Sequence, residues 1–205
     1  MEKNKIKNVV FDVGNVIVRW APLEIIKLSF GDSESPEQRA KAIFHSETWL
    51  ALNKGFITEY EAKSQYQKEL GLSELECEKL FYYVKQSQIL IFGTIELIQR
   101  IKAAGYNVYA LTDNVHEIVS YLKSTYEFWP LFDGVTVSAE VGLLKPQPEI
   151  YQTLLNSFDL LASETVFIDD MPYNVEGAQS VGMSAIQFSD SEQCEQALKL
   201  LGLSF

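Results

Sequence analysis

Residues 9–18 read VVFDVGNVIV, an apolar run that would pass for one buried strand were it not interrupted by Asp12 and Asn15. A parallel strand covered on both faces is a continuous apolar run, so a carboxylate at its carboxyl end costs free energy unless something uses it. The segments that follow explain where this strand belongs. From residue 91 onward, helical and extended patterns alternate: IELIQRIKAAG (95–105) as a helix, NVYALTD (107–113) as a strand, EIVSYLKSTY (117–126) as a helix and DGVTVSAE (133–140) as a strand. PEIYQTLLNSF (148–158), PYNVEGAQSVG (172–182) and DSEQCEQALKLL (190–201) read as helices, with TVFIDD (165–170) and MSAIQF (183–188) as strands among them. Alternation of this kind predicts βαβ units. With the first strand the count reaches five, and the fold class is α/β: a doubly wound, Rossmann-like parallel sheet.

Residues 21–88 break the alternation. Apolar residues recur there at helical spacing (Leu23, Ile26, Phe30; Ala40, Ile43, Phe44; Ala62, Tyr66, Leu70) with no strand pattern. Helix starts are signalled by Ser35-Pro36, by Thr58 with Glu61, and by Ser73 with Glu76. The expected organisation is a core domain of residues 1–20 and 89–205, with a small helical domain of residues 21–88 inserted after the first strand.

At 205 residues, 47% of them apolar, the chain suffices for one α/β domain and a modest insertion. Seventeen basic against 28 acidic residues give a net charge of −11, which disfavours nucleic acid as a partner. Cys77 and Cys194 stand apart without CxxC or histidine company, which suggests neither zinc nor a disulfide framework. Lys3, Lys5 and Lys7 precede an apolar run, but Asp12 interrupts it and no small-residue cleavage site follows. No stretch reaches the length of a membrane span. A soluble, cytoplasmic protein is expected.

In an open α/β sheet, ligands bind outside the carboxyl ends of the strands. Those ends carry Asp12, then Thr112 and Asp113, then Lys145 in the loop after the third strand, then Asp169 and Asp170. Taken singly, Asp12 could form a turn, Thr112 and Asp113 could cap a helix, and Lys145 could be a solvated loop lysine. Adjacent carboxylates ending an apolar strand are harder to explain without a cation or donor between them.

The series Asp-x-Gly, Thr-Asp, Lys-Pro and Asp-Asp-x-x-x-Asn on successive strands resembles the haloacid dehalogenase-like (HAD) hydrolase superfamily over essentially the whole chain. FDVGNVIV, ALTDN, GLLKPQPEIY and FIDDMPYNVEGAQSVGM look like its four motifs. Together with the helical insertion they are most similar to bacterial sugar-phosphate phosphatases, including those acting on α-D-glucose 1-phosphate. The resemblance implies a hydrolase of small phosphate monoesters with Asp12 as nucleophile, forming an aspartyl-phosphate. It implies Mg²⁺ held by Asp12, the main-chain carbonyl of Gly14 and Asp170, with Asp169 binding the metal's waters. Thr112 and Lys145 would grip the phosphoryl oxygens, Asp113 would contribute to substrate binding through its backbone N–H, and Asn174 would orient the Lys145 end. The insertion would be a cap closing over the site. His45, Trp49 and Asn53, four apart, fall on one helical face and either line its entrance or divide between roles, with Trp49 in the cap core and His45 on the surface.

Gly14 departs from the superfamily pattern, which usually has a second Asp there as general acid and base. Its carbonyl remains for the metal, but acid-base help, worth roughly 10² to 10⁴ in rate, does not. Either the leaving alcohol departs easily, as from an anomeric sugar phosphate, or another group such as Asp113 or a metal-bound water takes the role. Asp113 is itself a departure, since close relatives often carry Asn. A metal-free dehalogenase would lack the Asp169-Asp170 pair, and a β-phosphoglucomutase-like transferase would depend on the missing Asp. A non-catalytic binding or regulatory protein is the remaining alternative, favoured by Gly14 and opposed by Asp12, Lys145 and the acidic pair.

Overall fold

The computed structural model describes residues 5–32 and 35–205; Lys3, part of the basic stretch considered above, lies outside the described residues. Five strands, β1 (Asn8–Phe11), β2 (Asn107–Thr112), β3 (Gly134–Val137), β4 (Thr165–Asp169) and β5 (Ser184–Gln187), form one sheet in the order β3-β2-β1-β4-β5. All pairings are parallel. Central β1 pairs with β2 through Phe11↔Ala110 and with β4 through Phe11↔Ile168. The order reverses at β1, and this switch point opens a crevice at the strands' carboxyl ends.

The side-chain period of two sorts the sheet into two apolar faces. Val9, Phe11, Val108, Ala110, Val166 and Ile168 pack on one side, with the buried residues of α6 (Thr94–Ala103), α7 (His116–Thr125) and α11 (Ser191–Leu200) in the same cluster. Val10, Tyr109, Leu111 and Phe167 pack on the other, against α9 (Pro148–Ser157) and α10 (Pro172–Ser180). The segment expected as one strand over residues 133–140 is divided: β3 ends at Val137 and a single helical turn, α8 (Ser138–Val141), follows. Ser138 Oγ donates to the carbonyl of Asn53 and accepts the Asn114 N–H, which ends the strand.

Between β1 and β2 lie α1 (Pro22–Phe30), α2 (Pro36–Phe44), α3 (Glu47–Asn53), α4 (Glu59–Leu70) and α5 (Glu74–Gln86). The capping boxes anticipated at Thr58/Glu61 and Ser73/Glu76 are both formed. Ser35 makes no side-chain cap, although Pro36 occupies the first turn of α2. The buried faces of α1 and α4 are carried by Ile25, Ile26, Ala62 and Tyr66, whereas Leu23 and Leu70 are exposed. The two stretches joining the insertion to the sheet run side by side: Arg19 N–H donates to Ile89 O at 2.9 Å and Ile91 N–H to Ile17 O at 2.8 Å. Gly55, at φ +68°, lies so close to α8 that a Cβ would stand 2.1 Å from the carbonyl oxygen of Ala139, so only glycine fits. No helix among the described residues is long and apolar enough to cross a membrane.

Candidate active site

Extending the β1/β4 register by one residue sets Asp12 beside Asp169, and the Asp12 N–H donates to Ile168 O at 2.9 Å. Lys145 reaches between them. Its Nζ lies 2.8 Å from Asp12 Oδ1, 2.7 Å from Asp169 Oδ2 and 3.5 Å from the carbonyl oxygen of Leu111. The ammonium is therefore held by β1, β2 and β4 at once. Asp12 Oδ1 also accepts the Val13 N–H at 2.7 Å, which leaves Oδ2 without a partner among the described residues.

Asp169 is fully buried. It accepts the Met171 N–H and both oxygens take Asn174 Nδ2, at 3.0 and 3.1 Å. Asn174 Oδ1 is a buried acceptor with no partner among the described residues, and Asn174 lines the cavity described below. Tyr151 hydroxyl fixes the start of α10 by donating to Asn174 O at 2.8 Å. Asp170 takes a bond from Asn15 Nδ2 at 3.1 Å, and Asn15 Oδ1 accepts the Trp20 N–H. Asn15 adopts the left-handed region, φ 52°, which Asn tolerates better than most side chains. It ties β1's loop to the acidic pair, a part that the sequence pattern did not assign.

These groups border a cavity of about 440 Å³, lined by Asp12, Gly14, Asp113, Lys145, Asp170 and Asn174 on the sheet side. Thr112, expected as a phosphoryl contact, is 1% exposed at the end of β2 and is not among the lining residues. Asp113 does not cap α7, whose N-cap is Val115; its Oδ1 instead accepts the Lys145 N–H at 3.1 Å. His45, Trp49 and Asn53 all line the cavity, but not from one helix. The helix breaks at Ser46, which caps α3 by accepting the Trp49 N–H, and His45 ends α2.

Burial dominates the electrostatics. It pushes Asp12 well above the usual carboxylate range, with Lys145 pulling back and Asp169 adding to the rise. Burial likewise raises Asp113 to about 6, only partly offset by Lys145. Asp170 is raised too, by burial first, with Asn15 opposing. For Lys145, burial alone would depress the ammonium, but Asp12, Asp169 and Asp113 outweigh it and hold the proton more firmly. Four carboxylates thus face one ammonium. The shortage of positive charge fits a cation: oxygens of Asp12, Asp169 and Asp170 lie within 4.8 Å of one another, an all-oxygen set suited to a hard divalent ion.

The model of the haloacid dehalogenase-like hydrolases matches residues 6–182, from two residues before β1 to two residues past α10. Among characterised proteins, the sesquiterpene phosphatase astK of Aspergillus oryzae is 30% identical over 96% of this chain and 97% of its own length. D-ribitol-5-phosphate phosphatase of Bacteroides thetaiotaomicron is 27% identical over 96% of this chain and 98% of its own. A HAD family enzyme from Bacteroides thetaiotaomicron, solved with magnesium and inorganic phosphate, superposes with a TM-score of 0.75 at 22% identity, covering 90% of this chain and 95% of that one. The match runs through all four strand-end clusters that converge on the cavity, and the chain belongs to the haloacid dehalogenase-like hydrolases.

Proposed function

We propose that the chain is a Mg²⁺-dependent phosphatase that hydrolyses a small phosphate monoester through an aspartyl-phosphate on Asp12. The observation that carries this reading is Asp12 itself: one oxygen is fixed by Val13 N–H and Lys145, and the other is free at the wall of a cavity that also presents the acidic cluster. Relatives of nearly full length that are named as phosphatases of a sesquiterpene and of a sugar-alcohol phosphate support the reaction class and differ in the alcohol.

Asp12, the carbonyl of Gly14 and Asp170 would hold Mg²⁺, with Asp169 behind them. When bound, the ion neutralises charge that otherwise costs roughly 4 kcal/mol per like pair at ~4 Å and an effective dielectric of 20. The free oxygen of Asp12 attacks phosphorus and the ester oxygen departs. Lys145 stabilises the phosphoryl oxygens in the transition state while Asp169 and Asn174 hold it in place. Asp113 gives its proton to the departing alkoxide and then, as a carboxylate, takes one from the water that hydrolyses the aspartyl-phosphate. A carboxyl raised to about 6 suits both roles. Residues 21–88 act as the cap domain over a core of residues 1–20 and 89–205, with the paired stretches at 17–19 and 89–91 as its attachment.

The test is hydrolysis of p-nitrophenyl phosphate with Mg²⁺ and with EDTA, run beside Asp12→Asn. Turnover that needs both the metal and Asp12 is expected; equal turnover by the variant overturns the assignment.

A further inference from the structure

Beyond the acidic end, the cavity changes character. Its remaining walls are built largely from Trp20, Phe44, Trp49, Leu50, Ile118 and Met171. Trp20 and Trp49 stack at 5.8 Å with an interplanar angle of 18°. Phe44 stands edge-on to both, at 5.1 and 5.0 Å. Phe81 backs Trp49 at 6.4 Å. This is a preorganised apolar surface whose shape does not have to be assembled on binding.

Several polar groups among these walls are committed within the protein, and those left over include neutral amide ends of Asn53, Gln88 and Asn114. Asn15 is used at both ends, by Asp170 and by the Trp20 N–H. Asn53 Nδ2 donates to Trp49 O, and Gln88 Nε2 donates to Val84 O. Apart from the His45 imidazole, no ionisable acid or base lines the cavity away from Asp12, Asp113, Lys145 and Asp170, save the weakly acidic hydroxyl of Tyr173. A second phosphate or a carboxylate on the substrate would find no Lys or Arg there, only the His45 imidazole. A polyhydroxylated alcohol would bury hydroxyls against rings and aliphatic carbons, and each one left unpaired costs about tenfold in binding.

We infer that the alcohol this cavity takes is uncharged and predominantly apolar, so that the substrate is a phosphate monoester of an aliphatic or prenyl-type alcohol rather than of a sugar. The inference rests on the phosphatase reading above and specifies its leaving group. The volume of about 440 Å³ is in the range that encloses a small organic ligand.

Primary n-alkyl phosphates test it cleanly, because leaving-group basicity hardly changes along the series while apolar area does. Release of inorganic phosphate is measured with Mg²⁺ from ethyl, butyl, hexyl and octyl phosphate, from glucose 6-phosphate and glucose 1-phosphate, and from acetyl phosphate, which carries no tail. We expect kcat/KM to rise about fourfold for each methylene buried until the cavity is filled, and hexyl phosphate to exceed glucose 6-phosphate by about a hundredfold. Leu50→Asn, at a half-exposed position of the wall where folding is not at stake, lowers the slope of the alkyl series. A flat series, or a sugar phosphate that equals hexyl phosphate, overturns the inference; if acetyl phosphate is still hydrolysed in an Asp12-dependent way, the phosphatase reading stands without it. Absence of turnover on every ester and on acetyl phosphate removes both.

Discussion

Asp113→Asn should make the protein more stable and a worse enzyme. The side chain keeps its size, and Asn Oδ1 can still accept the Lys145 N–H that Asp113 accepts at 3.1 Å. What changes is a buried charge. Asp113 is raised from 3.8 to about 6, chiefly by burial. Two units correspond to about 3 kcal/mol by which the folded protein disfavours the ionised form. The folded chain keeps this proton up to about pH 6, whereas the unfolded chain releases it near 3.8. Wild type therefore loses stability as pH rises through that window, and above it the full cost is present. Asn never ionises and escapes the loss.

Urea denaturation in EDTA, at pH 4, 5, 6 and 8, isolates the effect, since Asp12 and Asp170 contribute equally to both proteins. The difference should be near zero at pH 4 and grow to as much as about 3 kcal/mol at pH 8. With a slope of 1 to 3 kcal/mol per molar urea, that is a midpoint increase of about 1 M or more. Turnover on an alkyl phosphate should fall by roughly 10² to 10⁴, and the limb near pH 6 in its pH-rate profile should disappear. A stability difference independent of pH would refute the buried-charge reasoning. Undiminished turnover would remove Asp113 from the chemistry.

Three further outcomes follow from the same geometry. Mg²⁺ at a hundredfold excess over its dissociation constant should stabilise the chain by about 2.7 kcal/mol, or about 5 to 10 °C in Tm for a chain of this size, with EDTA reversing the shift; an unmoved Tm would speak against the carboxylate cluster as a metal site. Lys145→Met should cost about 3 to 5 kcal/mol in urea unfolding at pH 8, because Asp12 and Asp169 lose the buried ammonium between them; a loss below about 1 kcal/mol would mean that their charge is already neutralised otherwise. Gly14→Asp should fold normally, since a Cβ there meets no atom within 4 Å, and in an Asp113→Asn background should recover about 10- to 100-fold in kcat by restoring an acid; no recovery would show that the carboxyl at position 14 cannot reach the leaving oxygen.

The parallel sheet is legible because burial on both faces makes the central strands β1, β2 and β4 apolar runs that give way to carboxylates at their carboxyl ends. Asp12, Asp113, Lys145 and Asp170 meet on one cavity for that reason. The reading fails where a single side chain resets the backbone. Ser46 starts α3 anew, so the spacing of His45, Trp49 and Asn53 spans a helix break. Ser138 turns the end of an extended VTV into α8, since its hydroxyl bridges two segments distant in sequence. Asn15 owes its part to a left-handed φ that no spacing announces. Asp169 reads as half of an acidic pair, yet it is enclosed by Lys145 and Asn174 while Asp170 faces the cavity.

Gly14 and Asp113 are best understood together. Each stands three residues beyond the paired Phe11 and Ala110, on adjacent parallel strands, and both line the cavity. The carboxyl that the family resemblance leads one to expect at position 14 is absent, and one stands at position 113, at the end of the neighbouring strand. Asp113 is held against the backbone of Lys145. Burial, opposed by the Lys145 charge and N–H, retains its proton to about pH 6. On the proposed mechanism an apolar alcohol would strengthen that retention, because it would bring no water to the carboxyl before the alkoxide forms. On the proposed mechanism, the acid and the alcohol would both be selected by one property of the site, its largely apolar walls beyond the acidic end.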